Sequence, residues 1–295
     1  MTRERYADFN FRPATVELIQ TMNGIVREYI AQGFVLTVRQ LYYQMVARGH
    51  IENTERSYKR ITGTVNDARL GGMMDWDAIE DRTREFDTRS RWASGGLLLK
   101  AAANQFHMDM WANQKVRPFV IVEKEALAGV LQPVCHELDL PLLAARGYPS
   151  VSVLRDFAKN VLIPLRGKQD FLLLHLGDHD PSGIDMTRDL VDRLTLLTNG
   201  RNVELKRMAL NMDQVEEQQP PPNPAKTTDS RFESYRDLYG DESWELDALQ
   251  PAYLTGLIRG AVEAVRDDDA WNEAESAITD TKERLLAVAE DFDGD

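Results

Sequence analysis

The sequence predicts an α/β protein, in which an all-α N-terminal unit precedes a parallel sheet flanked by helices. Three observations predict this. From Arg117 onward, short apolar runs (FVIVEK, PLLAARG, FLLLHLGD, VELKRMAL) alternate with helical stretches. Strands buried on both faces read as such runs, and alternation with helices implies parallel pairing. Before Arg117 the apolar period is that of helices, closed by Gly33, Gly49 and Gly71-Gly72. At 295 residues the chain also has room for about two cores.

The first helix is expected over residues 14–32. Thr37 caps a second, VRQLYYQMVAR, and Asn53-Thr54 a third, ERSYKRITGTVNDARL. Two short helices across a brief turn, followed by the aromatic-bearing MMDWDAI, read as a winged helix-turn-helix. In the second helix Val38, Leu41, Tyr42 and Met45 form the core stripe, which leaves Tyr43 on another face, one turn beyond Arg39. Tyr43 therefore reads as an exposed or interfacial aromatic. In the third helix Tyr58, Ile61, Val65 and Ala68 face inward. Arg56, Lys59, Arg60 and Asn66, with Gly63 among them and Arg69 further on, offer a basic surface to a phosphate backbone or simply to solvent.

A connector carries one more helix, GLLLKAAANQFHMDMWAN. The alternating strands and helices follow, then a proline-rich extended loop (QQPPPNPAKTTDS) and a helical C-terminal segment with an acidic tail. The expected domains are 1–90 (winged-helix, DNA-binding), 91–116 (helical connector), 117–250 (the sheet) and 251–295 (C-terminal helices and tail).

Composition narrows the function. No apolar run approaches a membrane span, and the first residues carry no secretory signal. One cysteine, Cys135, excludes an internal disulfide framework and a cysteine-built zinc site, so a reducing, cytoplasmic setting is expected. The net charge of −13 is uneven: residues 241–295 hold 16 acids and 4 bases, and the other 240 hold 32 and 31. A nearly neutral body can present a basic face, so the overall acidity does not exclude nucleic acid. No Walker A or Gly-x-Gly-x-x-Gly pattern stands where a nucleotide site requires one.

Ligands of a doubly wound sheet bind beyond the C-terminal strand ends. Glu123 ends FVIVE, and Asp178 with Asp180 ends FLLLHLGDHD. In an extended chain residues i and i+2 share a side, so the two aspartates are expected to converge. Clustered carboxylates suit a hard divalent cation, Mg²⁺ or Mn²⁺, which also relieves their repulsion. Asp180-Pro181 is equally a good helix cap, which accounts for Asp180 but not for Asp178 or Glu123. His179 points to the other side of the strand.

IVEKEAL, then GYPS, then LGDHDPSGIDM resemble the Toprim domain of type II topoisomerases and meiotic double-strand-break transesterases, in the version found in topoisomerase VI A subunits. The resemblance implies Glu123, Asp178 and Asp180 as metal ligands, with Glu125 a helper. WELDAL resembles a late Glu-Leu segment of that domain, which puts Glu245 and Asp247 near the site or in capping or surface roles. That family joins a winged helix to the Toprim domain in this order, and its nucleophile lies in an Arg-x-x-aromatic-Tyr motif. Arg39-Gln40-Leu41-Tyr42-Tyr43 matches, which implies Tyr43 as nucleophile with Arg39 beside it. Over roughly residues 30–250 the chain is most similar to compact, stand-alone A-subunit homologues of bacteria and mobile elements.

The resemblance implies metal-dependent cleavage of double-stranded DNA by tyrosine transesterification. It also implies a homodimer in which one subunit's tyrosine serves the other's metal, and a separate ATPase B-type subunit for strand passage. Two other readings stay open: a Toprim nuclease that uses water, and a DNA-binding phage or plasmid protein with an inactive Toprim domain.

Overall fold

The computed structural model describes residues 4–80, 90–200 and 203–292. The N-terminal unit is built from α1 (Pro13–Ala31), β1 (Leu36–Thr37), α2 (Val38–Ala47), α3 (Glu55–Leu70) and β2 (Ile79–Glu80). Thr37 opens α2 with a full capping box, its hydroxyl accepting from Gln40 N while the Gln40 side chain accepts from Thr37 N. Thr54 caps α3 through Ser57 N. Ile19, Met22, Leu41, Met45, Ile61, Val65 and Met74 are wholly buried between these helices. MMDWDAI forms a bend and one 3-10 turn, and the strand that follows is parallel, Leu36 paired with Ile79. A winged antiparallel hairpin is therefore not found among the described residues, and residues 81–89 of the expected domain lie outside them.

The next element, α4 (Gly95–Gln105), is shorter than expected. Beyond it Asp109 accepts from Trp111 N to make a turn, and the Trp111 ring is buried with its Nε1 donating to Leu138 O. Burial of that indole, not helix propensity, decides the path of residues 106–114.

The sheet is built as expected from β3 (Val116–Val122), β4 (Leu142–Ala144), β5 (Asp170–Leu176) and β6 (Leu205–Ala209), all parallel, in the order β4-β3-β5-β6. Alternation along β3 and β5 sends Val120, Val122, Leu172 and Leu174 to one face, and Phe119, Ile121, Phe171 and Leu173 to the other. The first face is covered by α5 (Ala128–Glu137), and the second by α6 (Val151–Phe157) and α7 (Pro181–Leu197). The chain continues through α8 (Met212–Gln218), β7 (Asn223–Pro224), α9 (Phe232–Tyr239) and β8 (Glu242–Ser243), with β7 and β8 antiparallel.

The C-terminal helices belong to the sheet's core. Leu254, Ile258 and Val262 of α10 (Pro251–Glu263) pack with Leu131 and Val134. The long α11 (Asp268–Phe292) lies along α4, where a side chain on Gly95 would meet the Phe292 ring at 2.4 Å. The expected tail is thus ordered helix to Phe292. Among the described residues no helix is long and apolar enough to cross a membrane.

Candidate active site at the strand ends

The backbone of His179 exchanges two hydrogen bonds with that of Trp244, at 2.8 and 2.9 Å. This bridge docks residues 244–248 against the end of β5, and Leu246 N donates to Asp178 Oδ1 at 2.8 Å. Glu245 and Asp247 are thereby brought to the strand ends. Glu123 follows β3 directly, and its Oε2 accepts from Asp178 N at 3.0 Å. The approach is close because two neighbours lack side chains. A Cβ on Gly177 would lie 3.0 Å from Glu123 Oε2, and one on Gly183 only 2.3 Å from Asp178 O.

Two cations that the sequence reading gave no role hold this arrangement. Lys124 Nζ lies 2.9 Å from Asp178 Oδ2, 2.5 Å from Glu245 Oε2 and 3.2 Å from Asp247 Oδ2. Arg207 staples the turn into α7, donating to Asp178 O at 2.6 Å, Gly183 O at 2.9 Å and Thr187 Oγ1 at 2.8 Å. The available signal for the second was Arg207, an arginine inside a strand of the buried sheet. For the first it was the lysine next to the strand-ending glutamate.

Burial pushes the Asp178 carboxyl up to about 7, with Lys124 opposing and Glu123 adding to the rise. Glu123 is raised chiefly by burial, and the charge of Asp180 adds to it. Burial works against the Lys124 ammonium, yet Asp178, Asp247 and Glu245 together hold it above its ordinary value. Burial likewise disfavours the charge of Glu245, but Lys124 and Arg39 outweigh it and lower this carboxyl.

The expected convergence of Glu123, Asp178 and Asp180 is not formed. Asp180 Oδ1 accepts from Gly183 N at 2.6 Å and from Ser182 Oγ at 2.9 Å, capping α7, while Asp178 is drawn to Lys124 and Leu246 N. Among the described residues no three acids stand ready to hold an ion. The oxygen donors match a hard cation in kind, but as they stand they do not fit one, because an ammonium holds Asp178. Glu125 is not with them; it pairs with Arg146 at the surface. His179 is buried, bonded to Tyr235 through Nδ1 at 2.7 Å and ringed by Tyr239 and Trp244, a packing role in keeping with its expected direction.

Tyr43 is not exposed, so of the two placements expected for it, exposed or interfacial, the first is corrected. It is 4% exposed, as is Tyr42, because the segment of Leu246–Ala248 covers the second face of α2. Ala248 joins the N-terminal core itself. Tyr43 lines a cleft of about 320 Å³ together with Arg39, Tyr42, Asn53, Tyr58 and Asn223. Asn223, from the proline-rich segment, points its amide at the Tyr43 hydroxyl at 3.5 Å, and its own oxygen accepts from Asn53 at 2.8 Å. Arg39 reaches out of the same helix to Glu245 Oε2 at 2.5 Å and Asp247 Oδ2 at 3.3 Å. Burial, then the charge of Glu245, pushes the phenol up to about 12 against the opposing pull of Asn223, Arg39 and Lys124.

On α3 the side chains of Arg56, Lys59, Arg60 and Asn66 are exposed, with Lys59 paired to Glu55. Arg69 departs from that face. It is buried, donates to Trp76 O and Ile79 O, and lies over the Trp76 ring, so it ties the end of α3 to β2. Comparisons with protein-family profiles, with curated proteins and with solved structures found no match to this chain.

Proposed function

We propose that the chain binds double-stranded DNA through a winged-helix-like N-terminal unit and cleaves it by tyrosine transesterification at a Toprim-type site. One observation carries this reading. Arg39, one turn before Tyr43, is ion-paired at 2.5 Å with Glu245, so a phenol, a guanidinium and the strand-end acids belong to one connected site. The phenolic oxygen forms a bond to a backbone phosphorus, the bond to a sugar oxygen breaks, and the phenolic proton ends on the released sugar hydroxyl. The guanidinium of Arg39 steadies the phosphate. The exposed Arg56, Lys59, Arg60 and Asn66 supply sequence-independent contact to the duplex. Mg²⁺ or Mn²⁺ belongs to the proposal, as do a homodimer and a separate ATPase subunit. Glu123 and Asp178 offer oxygen donors of the right kind for such an ion, but Lys124 holds Asp178 as the site stands.

A second reading is hydrolysis by water, favoured by the burial of Tyr43 and by a phenol pushed up to about 12. One experiment separates them. Supercoiled plasmid is incubated with the wild type or Tyr43→Phe in Mg²⁺ or Mn²⁺, stopped with denaturant and split into protease-treated and untreated halves. Protein-linked ends that vanish in Tyr43→Phe support transesterification. Free ends that persist support hydrolysis, and intact plasmid in both metals rejects cleavage by this chain.

A further inference from the structure

Two clefts meet at Arg39 and Tyr58. One is the cleft of about 320 Å³ that holds Tyr43, and the other, of about 440 Å³, runs on from the same two side chains. Thr62 and Asn66 line its α3 side, and Glu80 and Glu125 also border it. Tyr58, Thr62 and Asn66 are four residues apart in turn, so they form one line along α3. From Thr54, in the first cleft, to Asn66, in the second, that helix rises about 18 Å, a length for roughly five nucleotides at about 3.4 Å each. Tyr43 is only 4% exposed, so a phosphate meets its hydroxyl only by entering the first cleft. A space of that size holds on the order of one nucleotide, and a strand still paired would bring its partner with it. Tyr58 is half-buried, with the Tyr42 ring 5.3 Å away, and a base can lie against it only after leaving the duplex stack. Charge separates the two surfaces of α3. Arg56, Lys59 and Arg60 are exposed and basic, whereas acids border the groove, Glu55 paired with Lys59 and Glu125 with Arg146. Asn66 belongs to both, so the two surfaces adjoin.

We propose that this groove binds an unpaired DNA strand: the strand that reaches Tyr43 is single-stranded, while adjoining duplex rests on the basic face of α3. The substrate class is then DNA with a locally open segment, such as a gap, a bubble or a single-stranded tail. Stacking on Tyr58 and the guanidinium of Arg39 hold the strand. Because acids share the walls, its binding weakens less with salt than that of a duplex on the basic face. The inference rests on the proposed function for DNA as the ligand, and adds the state in which the cleaved strand arrives.

The test is fluorescence anisotropy of the full chain, without divalent ions, on a labelled duplex, on the same duplex with a central run of mismatched pairs, and on its single strand. Wild type, Tyr58→Leu and Thr62→Glu are compared, the last placing a bulkier acid in the groove. Wild type is expected to bind the mismatched duplex and the single strand on the order of tenfold more tightly than the intact duplex. Both variants should lose that preference. If Tyr58→Leu does not melt cooperatively, Thr62→Glu alone decides, by the same criterion. Equal affinities in wild type, or a preference that either folded variant keeps, would overturn the inference and leave the proposed chemistry to the plasmid assay. A preference that the variants abolish, in a chain that leaves plasmid intact, would uphold the groove and reject the cleavage. No binding to any of the three DNAs would overturn both.

Discussion

Replacing Asp180 separates the two jobs open to it, because asparagine can cap a helix but is a poor ligand for a hard cation. Asp180 Oδ1 accepts from Gly183 N and Ser182 Oγ at the start of α7, a helix of 17 residues with Pro181 in its first turn. Removing the cap with Asp180→Ala is expected to cost about 1 kcal/mol. Losing a negative charge at the helix N-terminus adds roughly 0.5 kcal/mol. Unfolding entropy of about 2 cal/mol/K per residue, over the 295 residues, turns that total into a fall in melting temperature of about 2–3 °C. Asp180→Asn keeps the acceptor and should lose less than about 1 °C. Thermal melts of the three proteins, run beside plasmid cleavage, make the comparison. Cleavage lost in Asp180→Asn at near-wild-type melting temperature would assign Asp180 to the chemistry as well as the cap. A melt for Asp180→Asn as low as that of Asp180→Ala, or an unchanged melt for Asp180→Ala, would refute the capping reasoning.

Two further predictions concern the same turn and strand. Gly183→Ala would place its methyl 2.3 Å from the Asp178 carbonyl, which is backbone and stapled by Arg207, so a loss of roughly 1–3 kcal/mol is expected by denaturant titration; an unchanged midpoint rejects this. His175 and His179 are buried and held neutral, their titrations pushed by burial down to about 3 and about 4. The unfolded chain therefore takes up protons first, so stability is full above about pH 6.5 and falls as pH drops below it, by roughly 2 kcal/mol for each histidine at pH 5. The Asp178 carboxyl, raised by burial to about 7, gains protons on folding over the same range and opposes this loss, so the profile is read in Asp178→Asn; if that variant's stability stays flat between pH 7.5 and 5, the burial of the two histidines is refuted.

The sheet was legible because β3 and β5 are buried on both faces and so read as unbroken apolar runs, whatever else the chain does. Caps were legible for a local reason: Thr37, Thr54 and Asp180 each bond a backbone amide three residues on. The burial of Tyr43 was not legible, since it depends on residues 246–248 arriving more than 200 positions later to cover a face that helical periodicity alone leaves open. The pairing of Asp178 failed for a similar reason. Its expected direction followed from strand geometry, but two partners remote in sequence, Lys124 and the amide of Leu246, compete for its oxygens. Arg69 was misread because its distance along α3 fits the basic face, while the carbonyls that draw it inward belong to the turn after the helix.

Arg39 has one positive charge and two sets of neighbours, and this explains the state of the phenol. Its guanidinium lies against Glu245 and Asp247, which spend most of its field before it reaches Tyr43. Glu245 also acts on the phenol directly and in the raising direction, so burial and this carboxylate together outweigh Arg39. Glu245→Gln removes the repulsion and frees part of the guanidinium, and both changes favour phenolate. The titration midpoint of Tyr43 is then expected to fall from about 12 toward the ordinary phenol value of about 10. NMR of a chain labelled at tyrosine Cζ, with the Tyr43 signal assigned by its absence in Tyr43→Phe, reads that midpoint. If the midpoint in Glu245→Gln matched wild type, Arg39 would not be the group that tunes this oxygen. A phosphodiester entering the cleft would act in the same sense as the mutation, since it competes with Glu245 for the guanidinium. If Tyr43 acts as the proposed function has it, substrate entry would then release the cation that the phenol needs, and activation would wait for the substrate to be in place.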